Sequence, residues 1–214
     1  MRRLIFVPII HTEADLGSLA EEIEERAKAI IGDADWQKHK EAVTLYWQEL
    51  YDYWEGKNIP GLKIFQDGMP LDGLLGENLV KSMANNGSMN YKIIELLIEK
   101  GAKLIQTEDA ELLKEEYFLT RDLTKSDPAS ISLEALSQYK SRKDELLHAR
   151  DTYIAGKINE HLMDGEIGVC FLGASHQIVS RLPDDIEVIS IPLSGLSKDF
   201  VSAAPQREEY THET

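Results

Sequence analysis

The apolar positions of this chain fall into two rhythms that alternate along its length. Leu4–Ile10 is a continuous apolar run, "LIFVPII", the pattern of a strand buried on both faces. Four later runs have the same character: "LKIFQDG", "AKLIQTED", "EIGVCFLGASH" and "IEVISIPL". Between them the apolar residues return at helical spacing. "DLGSLAEEIEERAKAII" predicts one amphipathic helix, and "DADWQKHKEAVTLYWQELYDYWEGKN" a second, with Trp36, Val43, Trp47, Leu50 and Trp54 on a stripe and Asp33 or Asp35 as its cap. "LLGENLVKSMAN", "MNYKIIELLIEK" and "AELLKEEYFLTRDL" predict three more, with Ser88 capping the second of these. A long helical region follows the loop "TKSDPAS", capped by Ser130 or Ser132 and running from Leu133 to Met163. "QIVSRL" is a short helix before the break at Pro183.

Strands alternating with helices predict an α/β fold. The expected architecture is a mainly parallel central sheet of about five strands, with helices on both faces and a helical-pair insertion after strand 1. The expected organisation is one α/β domain over residues 1–198, with the insertion at about 14–58, and a polar tail over 199–214. The helical pair is placed as a lid over one sheet edge. Its aromatic stripe reads first as core and second as the lining of a pocket or a subunit interface.

Composition narrows the partners. The formal net charge of −15 leaves little Lys and Arg to neutralise phosphates. Nucleic acid and anionic membranes are therefore not expected partners. Most of the acid lies on helix surfaces such as "EADLGSLAEEIEER", where a solvated face accounts for it. The single cysteine, Cys170, sits in an apolar strand and reads as a buried inert thiol. Met1–Ile10 resembles a signal peptide only faintly, because its apolar run is short and meets acidic residues. With no run of membrane-spanning length, the expected location is the cytoplasm. The expected partners are a small-molecule or peptide-like ligand and a second copy of the chain, in a homodimer.

The chemistry sits at strand ends. His11 with Glu13, Asp67, Glu108 and His176 each follow a predicted strand. In open α/β sheets, ligands bind beyond the carboxyl ends of the strands, so a parallel sheet brings these residues to one edge. Each alone has an ordinary explanation: a cap, a turn, a helix first turn or a loop histidine. Their recurrence at one end of the element favours the functional reading. Arg150 interrupts the helical stripe of Leu147, Ile154, Ile158 and Leu162. An arginine facing a core needs a carboxylate or an anionic ligand, and both readings stay open beside a snorkelling side chain. "NNGSMNY" puts Ser88 at a helix N-terminus, where it is either a cap or a substrate-binding group.

Two histidines and several carboxylates suit a divalent Zn, Mn or Fe ion, with His11, Glu108 and His176 as ligands. The same groups can work without metal, a histidine moving a proton and Arg150 stabilising charge. The candidate catalytic residues are His11, Glu108, Arg150 and His176. Those expected to bind substrate are Asp67, Arg150 and Ser88.

The order strand–His11, then Thr107–Glu108 after a strand, then "RDTYIA" at Arg150–Ala155, then "FLGASH" at Phe171–His176 resembles the TraB/Tiki/erythromycin-esterase/ChaN-like superfamily. The pattern "QDG…GS.N…GA…TE…LL..EY" is similar to that of an uncharacterised prokaryotic family of the same kind. The superfamily's Gly-Thr-x-His stands here as Pro8-Ile9-Ile10-His11, and its paired glutamates as Glu108 and Asp109. The resemblance implies a site of His11, Glu108, Arg150 and His176, and it spans metal-dependent proteases, metal-free esterases and haem-binding proteins. The expected function is a hydrolase of a small-molecule or peptide-like substrate, with or without a metal. The alternative is a non-catalytic small-ligand, haem or metal-binding sensor protein using the same pocket.

Overall fold

The computed structural model describes residues 1–16, 20–125 and 132–193. The polar tail 199–214, most of the loop "TKSDPAS" and the cap candidate Ser130 lie outside them.

The sheet has five parallel strands in the order β3-β2-β4-β1-β5: β1 (Arg2–Ile9), β2 (Lys63–Gln66), β3 (Lys103–Ile105), β4 (Ile167–Gly173) and β5 (Ile186–Ser190). Seven helices accompany them among the described residues: α1 (Glu13–Leu16), α2 (Ala20–Ile31), α3 (Asp33–Glu55), α4 (Gly73–Asn85), α5 (Met89–Glu99), α6 (Ala110–Lys125) and α7 (Leu133–His161). A 3-10 turn spans Val179–Arg181. Period-2 alternation sends successive strand residues to opposite faces. Ile5, Val7, Ile9, Ile64, Val169 and Phe171 pack with α3, α4 and α5 on one face. Leu4, Phe6, Phe65, Cys170 and Leu172 pack with α7 and the 3-10 turn on the other. Both faces are covered, which is why the inner strands β1 and β4 are apolar along most of their length. Among the described residues, no helix is long and apolar enough to cross a membrane.

The structure revises the placement of the helical pair. α3 is no lid over a sheet edge. Val43, Tyr46, Trp47, Leu50 and Trp54 are buried against the sheet face. The reason lies in β1. Its pairing with β5 stops at Phe6, whereas its pairing with β4 runs on to Ile9. Pro8 is tolerated in this inner strand because it lies beyond the reach of β5. Two aromatics of α3 then serve carbonyls near this strand end: the Tyr46 hydroxyl donates to the Pro8 carbonyl at 2.6 Å, and Trp47 Nε1 to that of Ile10 at 2.9 Å. Tyr46→Phe removes the first bond and leaves a buried acceptor unpaired. It is expected to cost about 1–2 kcal/mol, measured by urea unfolding.

Two cap expectations differ in outcome. Ser132 Oγ accepts from the Ala135 N–H, as expected of a cap for α7. α3 instead begins after Gly32, whose φ of 84° suits glycine, and Asp33 and Asp35 fall inside its first turn.

Candidate functional site

The carboxyl ends of β3, β2 and β4 are adjacent, and three acidic or basic side chains rise from the loops that follow them. The β2 and β3 loops are stitched together. Met69 carbonyl accepts from the Thr107 and Glu108 amides at 2.9 and 3.0 Å. The buried Thr107 hydroxyl accepts from the Gln66 N–H and donates to the Ile105 carbonyl. Gly68, at φ 68°, turns the chain after Asp67 and points its N–H at Glu108 Oε1, 3.4 Å away.

Arg150 comes up from α7 on the same side. Leu146, Ile154, Ile158 and Leu162 are buried beside it at steps of four residues, and Leu146, rather than Leu147, is the buried member of the stripe. All three guanidinium nitrogens end on carboxylates. Nη2 lies 2.6 Å from Asp67 Oδ1 and 2.5 Å from Glu108 Oε1, Nε lies 3.2 Å from Glu108 Oε2, and Nη1 lies 2.5 Å from Glu116 Oε2. Burial works against the charge of Arg150, but the bonds and charges of Glu108, Asp67 and Glu116 hold it protonated well above the ordinary arginine value. Glu108 is fully buried. Desolvation pushes its carboxyl up, against the opposing pull of Arg150.

His176 is held from both sides. Its Nδ1 lies 2.6 Å from Asp151 Oδ1, and its Nε2 lies 3.4 Å from Asp67 Oδ2. Asp151 Oδ2 also accepts from the Gln177 N–H at 2.9 Å, which ties the "GASH" loop to α7. Burial disfavours the imidazolium, but the two carboxylates outweigh it and bring His176 up to about 9. At pH 7 the ring is therefore charged and donates on both nitrogens. Asp67 moves the other way. Burial raises its carboxyl, yet the His176 bond, the charges of His176 and Arg150 and the Gly173 N–H leave it well below the usual carboxylate range.

Gly173 N donates to Asp67 Oδ2 at 3.0 Å, and a Cβ on that residue would lie 3.1 Å from the same oxygen. Asp67 has little freedom to retreat, because Arg150 and His176 hold its two oxygens. Gly173→Ala is expected to destabilise by about 1–2 kcal/mol and to swing Asp67 off His176. Thermal unfolding and the His176 ring chemical shifts would register the two effects.

Asp67, Glu108, Arg150 and His176 thus lie together at the carboxyl edge of the sheet. His11 and Ser88 do not join them. His11 is exposed in the link after β1, and β4 stands between β1 and β2 in the sheet, so the loop after β4 occupies the place beside Asp67. Ser88 is fully buried, and its hydroxyl caps α5 by accepting from the Tyr91 N–H at 3.4 Å. Two members of the cluster carried weak signals in the sequence. Asp151 lies one residue beyond Arg150 and four before the buried Ala155, which places it on the inner face of α7. Glu116 is one of several glutamates in α6, with no spacing that sets it apart.

The expected metal triad changes membership. Ligand atoms of Asp67, Glu108 and His176 lie within 4.8 Å of one another, so Asp67 takes the position foreseen for His11. These donors fit a divalent cation. Two oxygens and an imidazole nitrogen are a Zn, Mn or Fe set, and a carboxylate on the far ring nitrogen is the usual support of a ligating histidine. Charge agrees: Asp67, Glu108, Glu116 and Asp151 outnumber Arg150 and His176. Compared with known proteins, the chain matches no family model, no curated protein and no solved structure.

Proposed function

We propose that the chain is a hydrolase of a small-molecule or peptide-like substrate, working at the carboxyl edge of the sheet. One observation carries the reading: a buried imidazole with a carboxylate on each nitrogen, set beside an arginine-bridged carboxylate pair. Buried ionisable groups that shift one another in this way are common where protons are moved. The resemblance of "TE", "RDTYIA" and "FLGASH" to the TraB/Tiki/erythromycin-esterase/ChaN-like superfamily supports it.

His176 enters the reaction protonated, with Asp151 fixing the orientation of its ring. Water attacks the acyl carbon and the bond to the leaving group breaks. The leaving atom takes the His176 Nε2 proton. Asp67, the more open of the paired carboxylates, accepts the proton lost by water and returns it to His176 as product departs. Arg150 holds Asp67 and Glu108 in place and opposes the protonation of both. It is not a receptor for an anionic substrate group, because its nitrogens are already bonded to carboxylates. A divalent cation held by Asp67, Glu108 and His176 would supply Lewis acidity at the same point.

The test is an ester and peptide hydrolysis screen of the full chain, with and without added Zn, Mn and Fe. His176→Gln and Glu108→Gln are each expected to lower turnover by about 10²- to 10⁴-fold while the far-UV spectrum is kept. Unchanged turnover in both variants would place the chemistry elsewhere. A second reading, a non-catalytic small-ligand or metal-binding protein, is favoured by the full engagement of Arg150 and the zero exposure of Glu108. Metal or ligand retained on purification, with no turnover of any substrate, would decide for it.

A further inference from the structure

Helix α6 stands outside the core. No side chain of residues 110–121 is buried, and the helix packs chiefly against α7, whose own residues 134–145 include no buried side chain. Leu112, Leu113, Glu116 and Leu119 make its half-buried stripe, and Glu116 within that stripe bonds Arg150 of α7. At 3.6 residues per turn, Phe118 lies about 200° round the helix from Glu116, on the side turned away from α7. Phe118 is 40 % exposed and Tyr117 63 %, with ring centroids 5.6 Å apart. The Arg121 guanidinium stacks on the Phe118 ring at 4.6 Å. Two adjacent aromatics thus stand on an outer face that no element of the same chain covers.

The charges about Phe118 say what fits this face. Glu115 stands three residues before it and Arg121 three after, Lys114 four before and Asp122 four after, Glu111 seven before and Lys125 seven after. Steps of three, four and seven share one helix face with Phe118. Turning the helix end for end about Phe118 exchanges every acid on that face for a base, and every base for an acid. Two copies of α6 packed antiparallel across a two-fold axis therefore set Glu111 opposite Lys125, Lys114 opposite Asp122 and Glu115 opposite Arg121, each pair twice. Within one chain Glu111 pairs with Lys114 at 3.5 Å and Glu115 with Arg142, at exposed positions where such pairs are weak. Net charge agrees. The helix holds four acidic and three basic residues in a chain of net charge −15, so two copies can meet here without the repulsion that the rest of the surface imposes. We propose that the protein forms a two-fold dimer through antiparallel α6 helices, with the two Phe118 rings at its centre. The inference stands apart from the hydrolase reading.

The test is sedimentation equilibrium of the full chain from micromolar to submillimolar concentration. The parent is expected to approach twice the 24.2 kDa of one chain. Phe118→Glu should weaken the dimer at least tenfold and keep the far-UV spectrum, since it removes no core side chain. Glu111→Lys and Lys125→Glu should each weaken it at least threefold, because each sets like charges against one another twice per dimer. Mixed in equal amounts, these two variants should dimerise again, each supplying the charge that the other lacks. A variant that had lost its fold would not be rescued in this way, so the mixture separates loss of fold from loss of contact. A parent that stays monomeric throughout overturns the proposal. So does a dimer that Phe118→Glu leaves intact, which would place the interface elsewhere. A mixture of the two charge variants no more dimeric than either alone overturns the antiparallel pairing, and the proposal with it.

Discussion

Arg150→Met is expected to lower folding stability by about 3–5 kcal/mol, the largest effect of any substitution at the site. The figure follows from what is left behind. Arg150 bonds Asp67, Glu108 and Glu116, and the Glu108 side chain has no exposure at all. Removing the guanidinium leaves a carboxylate in a low-dielectric position with no counter-charge. Glu108 answers by holding a proton, since burial already pushes its carboxyl up and Arg150 is what opposes the shift. The sign of the pH dependence follows. A carboxyl whose folded value is raised binds more protons in the folded than in the unfolded state, so the variant gains stability as pH falls toward the ordinary glutamate range. The parent chain shows the same gain in smaller measure, because Arg150 opposes the rise of the Glu108 carboxyl without cancelling it. A second substitution isolates the cause. Arg150→Met combined with Glu108→Gln is expected to recover about 1–3 kcal/mol over Arg150→Met alone, as the stranded charge is gone. Urea unfolding of the four members of this cycle between pH 5 and 8 would measure it. A loss under about 1 kcal/mol in Arg150→Met would show that the pairs are solvated and only incidental to the fold.

Arg150 stands out in the sequence because it interrupts the helical stripe of Leu147, Ile154, Ile158 and Leu162, and a helix face reports burial directly. The strands were visible for a related reason. A sheet covered on both faces leaves no polar alternation, so short apolar runs between helices mark β1 to β5. Strand ends marked the edge where Asp67, Glu108 and His176 lie. What local pattern cannot give is the order of strands. His11 follows a strand as clearly as His176 does, but β4 lies between β1 and β2, and this order depends on how the whole chain winds. Asp151 was hidden for the same kind of reason. In "HARDTY" it looks like one more surface charge, and it becomes buried only when the loop after β4 folds over α7 and brings His176 and the Gln177 amide to it. The aromatic stripe of α3 reads in the sequence first as core and second as the lining of a pocket or an interface. Its burial follows from the early stop of β5, which leaves the end of β1 to be served by Tyr46 and Trp47.

The second large effect is expected in pH dependence, and it belongs to His176. Its folded value of about 9 stands above the unfolded 6.5. The fold therefore favours the charged ring, and the resulting stability is fully present below about 6.5. It declines as pH rises and is lost beyond about 9. At roughly 1.4 kcal/mol per unit, the loss amounts to about 3–4 kcal/mol, a large share of a typical folding free energy. His176→Gln should flatten the stability profile between these limits. Asp151→Asn should move the decline to lower pH, because one of the two carboxylates that hold the proton is gone. NMR titration of the ring protons, with EDTA present, reads the same quantity directly, and a midpoint at or below 6.5 would remove the basis of the argument. The consequence for catalysis has a definite direction. A histidine that is charged at neutral pH serves as an acid, so turnover should fall as pH rises through the His176 midpoint. A histidine acting as a base would give the opposite limb, with turnover climbing over that range. The pH–rate profile thus separates the two roles for one side chain, and Asp151→Asn tests the assignment, since the limb must move to lower pH together with the ring titration.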